Sequence, residues 1–204
     1  MQATAVSSES ASLLFRPASI VERLDVGALF PRRQPLEVEL GSGDGSFIVD
    51  YAKLHPERNF IAVERLLGRL NKINRKGLGA GLTNLRGIRI ESGYFLEYLL
   101  PKQSVSALHL YFPDPWPKRK HWKNRLVNER FPELCWTVLL PGGVVYLRTD
   151  HEEYFTQMSQ VFRSSQSFKE VATPEEVSGC LTDFEREFRA RGIVTLRAAY
   201  SRIA

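Results

Sequence analysis

The chain has 204 residues, 43% of them hydrophobic and 25% charged, with a formal net charge of +5. These proportions suit a globular fold with enough apolar mass for a core. They exclude three classes: no apolar run nears the roughly 18 residues of a membrane span, two distant cysteines make no disulfide framework, and none of the four histidines pairs at metal-ligand spacing. The net charge favours a polyanionic partner. Met1 to Ser12 is small and polar, with no basic start before an apolar stretch, so it does not read as a signal peptide. The expectation is a cytoplasmic protein, one domain over residues 1–204, with residues 1–17 flexible.

Short apolar runs alternate with helical patterns along the chain. Leu36–Leu40 reads as a strand and Phe47–Leu54 as a helix. Asn59–Val63 is a second strand and Leu66–Lys76 a second helix, followed by strands at Leu85–Ile90 and Val105–Phe112. Arg130–Leu139 is helical, Gly143–Arg148 a fifth strand and Glu152–Phe162 a further helix, and Ile193–Ile203 fits a late strand at a sheet edge. Such alternation predicts an α/β fold of Rossmann-like, doubly wound type: a mostly parallel sheet with helices on both faces. The strands are apolar at most positions, as burial of both faces requires. Ligands of such sheets bind beyond the carboxyl ends of the strands.

The first strand runs into Glu39-Leu40-Gly41-Ser42-Gly43-Asp44-Gly45 before a helix. Glycines allow a tight turn and close approach of a ligand. The dinucleotide fingerprint is G-x-G-x-x-G, and here the third glycine comes one residue early. Glu39 would repel a pyrophosphate but would pair with the ammonium of a methionine moiety. Glu64 closes the second strand, where a carboxylate suits ribose hydroxyls. That position serves dinucleotides and S-adenosylmethionine alike; Glu39 and the glycine spacing favour S-adenosylmethionine. Glu91-Ser92 follows the third strand and offers acceptors for an adenine amino group, or a solvated strand end. Glu37 reads as a polar flank.

The fourth strand ends in Phe112-Pro113-Asp114-Pro115-Trp116-Pro117-Lys118, and Arg119, Lys120, Lys123 and Arg125 follow with Trp122 among them. Proline fixes φ and stiffens the loop. Cations neutralise phosphates and aromatic planes stack on exposed bases. Thus Lys118 to Arg125 is expected to contact nucleic-acid phosphates; the alternative is a solvated charged loop, which would need no such stiff frame. His109 lies inside a strand and reads as a packed residue.

The Pro-Asp-Pro-Trp segment resembles the signature of the tRNA (guanine-N7)-methyltransferases. Glu39-Leu-Gly-Ser-Gly, Val63-Glu64, Arg148-Thr149-Asp150 and Thr182-Asp183-Phe184-Glu185 support the likeness, which covers residues 36 to 203. It implies a class I methyltransferase fold that moves a methyl group from S-adenosylmethionine to N7 of a guanine in tRNA, the variable-loop guanine at position 46. It further implies that Glu39, Gly41, Gly43, Glu64, Glu91 and Ser92 hold the cofactor. Asp114 would stand at the catalytic centre and also touch the cofactor. Lys118, Asp150 and the stretch Thr182 to Glu185 would hold the RNA. The family more often has Asp-Ala in place of Glu91-Ser92, and Arg in place of Asn124.

Guanine N7 carries a lone pair and no proton, so the reaction needs no general base. A carboxylate at Asp114 would stabilise the positive charge that forms on the ring. Asp114, Asp150 and the stretch Thr182 to Glu185 are expected to share one guanine pocket; Thr182 and Glu185 read equally as a capping box, and the two readings are compatible. Three other functions compete. A methyltransferase for another substrate would not need the basic loop. A non-catalytic RNA-binding subunit would lose the cofactor carboxylates, which are present. A nicotinamide dehydrogenase needs the longer glycine fingerprint. No metal is expected, and the oligomeric state is left open.

Overall fold

The computed structural model describes residues 12–203. Eight strands form one sheet: β1 (Leu14–Phe15), β2 (Leu36–Leu40), β3 (Asn59–Glu64), β4 (Leu85–Arg89), β5 (Val105–Tyr111), β6 (Leu139–Thr149), β7 (Phe168–Val171) and β8 (Leu196–Arg202). Their order is β1-β4-β3-β2-β5-β6-β8-β7, with β1 to β6 parallel and β8 antiparallel to both neighbours. Successive crossovers move outward from β2 in both directions. The sheet therefore switches between β2 and β5, and a crevice opens above their carboxyl ends.

Helices cover both faces. One face carries α1 (Ile48–Leu54), α2 (Leu67–Gly79), α6 (Glu175–Gly179) and α7 (Asp183–Ala190). The other carries α3 (Ser92–Tyr94) with the π turn Phe95–Leu99, then α4 (Phe131–Val138) and α5 (Glu152–Arg163). Strand alternation explains the central strand β2. Leu36, Val38 and Leu40 enter the core under α4 and α5, while Glu37 and Glu39 face α1, and all five residues are buried. Glu37 is no mere polar flank. It accepts from His109 Nε2 at 2.7 Å and from Arg58 at 3.0 Å, while His109 Nδ1 meets the Tyr111 hydroxyl at 2.7 Å.

Two expectations are corrected. The late strand is not at an edge: β8 lies between β6 and β7, because the short β7 pairs outside it. β7 reads Phe-Lys-Glu-Val, too short and too charged to announce itself. The stretch expected to be flexible is docked from Leu13 onward. Leu13 is buried against α2, with Asn74 accepting from its amide at 2.8 Å, and β1 pairs with β4. Residues 1–11 lie outside the described residues.

Candidate active site

The first turn is built by backbone that only glycine holds cheaply. Gly41, Gly43 and Gly45 have φ of 75°, 56° and 83°. A Cβ at Gly45 would meet Ile73 Cγ1 at 2.8 Å, so this residue lets α2 pack closely on the turn. Gly41 and Gly43 have nothing within 4 Å of that position, which leaves the space above them free.

A cleft of about 750 Å³ opens at the switch point, lined by Gly41, Glu64, Arg69, Glu91, Ser92 and Asp114 among others. Glu64 Oε2 accepts from the Gly43 amide at 3.0 Å and Oε1 from the Leu66 amide at 2.7 Å. The carboxylate is thereby fixed, and each oxygen keeps a lone pair for a ligand hydroxyl. Glu39 lies beside the same turn, 3% exposed, and its Oε2 has no partner. Burial pushes its pKa up to about 8, with Asp44 and Glu64 adding to the rise, although Ser42 and Arg148 oppose it. An orphaned buried carboxyl is a costly feature that a cationic ligand would relieve. Glu91 and Ser92 line the cleft, but the Glu91 oxygens accept from the Gly93 and Tyr94 amides at 2.8 and 2.7 Å, capping α3. That leaves Ser92 as the freer acceptor of the two.

Asp114 stands across the cleft on the loop after β5, exposed at the tip of a strained frame. Phe112 and Trp116, two residues to either side, have φ of 50° and 43°. Such values cost a non-glycine residue about 1–3 kcal/mol and collect at functional sites. The frame is anchored from behind by Arg125, 1% exposed. Its Nε donates to the Pro115 carbonyl at 2.7 Å, and its two Nη atoms donate to Glu153 at 2.9 and 2.7 Å. It also donates to Gln157 and stacks between Trp122 and Tyr154 at 4.5 and 4.7 Å.

A family profile described as "Putative methyltransferase" matches residues 33–197. A tRNA (guanine-N(7)-)-methyltransferase of Chromohalobacter salexigens is 40% identical over 153 residues, 75% of this chain and 62% of that protein. One of Syntrophotalea carbinolica is 35% identical over 181 residues, 87% of this chain and 78% of that protein. The chain belongs to the tRNA (guanine-N7)-methyltransferase family. The fold is shared with the crystal structure of the 16S rRNA methyltransferase KamB, at a TM-score of 0.63 and 18% identity over 90% of this chain and 95% of that one. It is shared too with TrmN from Thermus thermophilus, at 0.58 and 18% identity over 85% and 45%.

In this family member the cleft fits S-adenosylmethionine. Glu64 and Ser92 line it, whereas Glu39, with its unpartnered Oε2, is buried behind Gly41 and is not among the lining residues. Lys118 is exposed at the start of the 3-10 turn Arg119–Asn124 and has no ion-pair partner among the described residues. Asp150 is exposed just past β6 but does not line the cofactor cleft.

Two expectations for the methyltransferase are overturned locally. Arg125 cannot serve a phosphate, since it is buried and its donors are committed to protein acceptors. Glu185 faces no pocket. It is 0% exposed, its Oε2 accepts from Arg148 at 2.6 Å and from the Thr182 amide at 3.0 Å, and its Oε1 accepts from Arg197 at 2.8 Å. The Thr182 hydroxyl accepts from the Glu185 amide at 3.0 Å, completing the capping box of α7. The reason is Arg148, a cation on a buried strand that needs an anion. It also donates to the Cys180 and Val177 carbonyls and lies 4.0 Å over the Tyr111 ring. Sequence reasoning missed Arg148 and Arg125 as struts. The signal for Arg148 was an arginine ending the apolar run Val144-Val-Tyr-Leu147. Among the described residues no group of three or more His, Cys, Asp or Glu is placed to hold a metal, and no helix is long and apolar enough to cross a membrane.

Proposed function

We propose that this chain transfers the methyl group of S-adenosylmethionine to N7 of a guanine in tRNA, at the variable-loop position 46. The observation that carries the reading is a single cleft. It has a fixed ribose-type carboxylate, Glu64, on one wall and Asp114 on a strained proline frame on the other. The unpartnered Glu39 is buried two residues before Gly41, which lines that cleft.

S-adenosylmethionine supplies an electrophilic methyl group on a sulfonium. The protein's part is alignment and charge. Glu39 pairs with the ammonium, Glu64 accepts from the ribose hydroxyls, and Ser92 accepts from the adenine amino group. Asp114 accepts from the N1–H or amino group of guanine and stabilises the positive charge that N7 attack puts on the ring. Proximity of two aligned reactants supplies about 7–11 kcal/mol in favourable cases. No side chain needs to remove a proton from N7. The exposed cations Lys118, Arg119, Lys120 and Lys123 hold phosphates near the target, while Asp150 contacts RNA from the end of β6. The base leaves its stack to reach the cleft.

The test is direct. Labelled S-adenosylmethionine is incubated with unmodified tRNA, and the product is mapped by cleavage at 7-methylguanine. Cleavage at the variable-loop guanine is the expected result, and Asp114→Asn lowers kcat while the cofactor still binds. Label on protein or on a different base overturns the reading.

A further inference from the structure

The charge of this chain is unevenly spread. Between residues 65 and 90 stand Arg65, Arg69, Lys72, Arg75, Lys76, Arg86 and Arg89, with no Asp or Glu. Those seven cations exceed the net +5 of the whole chain, so the remainder of the sequence is slightly acidic. Most of the cluster lies on α2 and its entry. Leu70, Ile73 and Gly77 bury one face of the helix, and Arg69, Lys72 and Lys76 line a neighbouring face at the i, i+3, i+7 spacing. Arg69 to Lys76 spans about 10.5 Å of helix axis at 1.5 Å per residue.

Of the five cations on α2 and its entry, four are unneutralised. Lys76 pairs with Asp44 at 2.9 Å. Arg65, Arg69, Lys72 and Arg75 are exposed and make no ion pair among the described residues. Several cations elsewhere are partnered, as Arg186 is by Asp50 and Asp183, and Arg163 by Glu170, whereas Lys118, Lys120 and Lys123 of the loop after β5 share the unpaired state of the α2 row among the described residues. Like charges one turn apart destabilise a helix, so the row suits an anion from outside.

Its position says which anion. Arg65 and Arg69 line the cofactor cleft on the β3 side of the switch point. The basic loop after β5 flanks the same cleft on the other side, because β3 and β5 are the two neighbours of β2. We infer that the α2 face is a second phosphate-binding surface, which grips the backbone of the tRNA substrate on the opposite side of the cleft from the Lys118–Lys123 loop. The inference rests on the proposed function and extends it. RNA held at one wall only would pivot about the target base; held at both walls, it is fixed across the cleft.

Lys72 and Arg75 do not line the cleft, so they test the surface without disturbing the cofactor. Binding of unmodified tRNA is measured from about 50 to 300 mM salt for wild type, Lys72→Ala/Arg75→Ala and Lys118→Ala/Lys123→Ala. The α2 double variant is expected to bind tRNA about tenfold more weakly. The slope of log K against log salt should shrink by about 1.4–1.8, or 0.7–0.9 per lost phosphate contact. S-adenosylmethionine affinity and melting temperature should stay at wild-type values. If the slope and tRNA affinity of the α2 variant match wild type while the loop variant is impaired, the α2 surface is overturned and the functional reading survives. A wild-type protein that binds no tRNA overturns both.

Discussion

Arg125 Nε donates to the Pro115 carbonyl at 2.7 Å, so the carbonyl next to Asp114 is tied through one guanidinium to Glu153 on α5. A cation in the basic loop thus works inward. Arg125→Lys keeps the charge but loses the planar fork that reaches Pro115 and Glu153 together. The expected outcome is a large fall in kcat with KM for tRNA little changed, since Asp114 loses its backing while the exposed cations remain. Arg125→Ala should cost stability as well, about 1–3 kcal/mol for the lost charge-assisted bonds. Steady-state kinetics and denaturant unfolding check both. A weaker KM with intact kcat would return Arg125 to the phosphate-binding set.

Glu39 yields a pH prediction. Its pKa is about 8 in the protein against an ordinary value of 4.5. Between those values the folded protein binds a proton that the unfolded chain does not. Stability therefore falls as pH rises from about 4.5 to 8. Glu39→Gln should flatten this dependence and raise the melting temperature at pH 8, while cofactor binding is lost. An ammonium partner lowers the pKa, so cofactor binding to wild type at pH 7 should release a proton. Calorimetry in buffers of different ionisation enthalpy reads that proton. Zero release at pH 7 would argue that Glu39 meets no cation.

Glu185 should behave as a structural residue. Burial alone would raise its pKa, but Arg148 and the bonds from Thr182 and Arg197 hold it below the ordinary range. Glu185→Ala leaves Arg148 buried without its anion, at a cost of about 3–5 kcal/mol, and removes half of the cap. Thermal unfolding should show a marked drop, with methyl transfer per folded molecule largely retained. Glu185→Gln should keep the cap geometry and recover part of the loss. A stable but inactive Glu185→Ala protein would restore the guanine-pocket role.

The exposed loop cations supply the last prediction. Lys118→Ala and Lys123→Ala should each reduce the salt slope of tRNA binding by somewhat less than one, because both side chains face solvent. Unchanged slopes in both would make the loop a solvated surface.

The parallel sheet and the cleft at its switch point were legible because they are written locally. Apolar strands end in Gly41-Ser-Gly43, in Glu64 and in Glu91-Ser92, and each motif sits where its strand stops. What escaped depends on pairings between distant segments. Arg125 looks like its exposed neighbours Lys123 and Lys120 until α5 brings Glu153 and Gln157 to it. Glu185 looks like a free acid until the strand holding Arg148 arrives 37 residues away. β1 and β7, of two and four residues, are strands only because β4 and β8 offer them an edge.

The place of β8 sets the order in which this sheet can be completed. Strands are synthesised from β1 to β8, yet β8 is the piece that joins β6 to β7. While the ribosome adds residues 150–195, the outer edge of β6 has no partner, and β7 pairs with no other strand of the sheet. The cleft wall of β2, β3 and β4 is free to assemble early, whereas the flank that carries Arg148 waits for the final strand. An exposed strand edge invites pairing with another chain, so the nascent protein passes through a sticky interval that ends when residues 196–202 emerge and close the sheet.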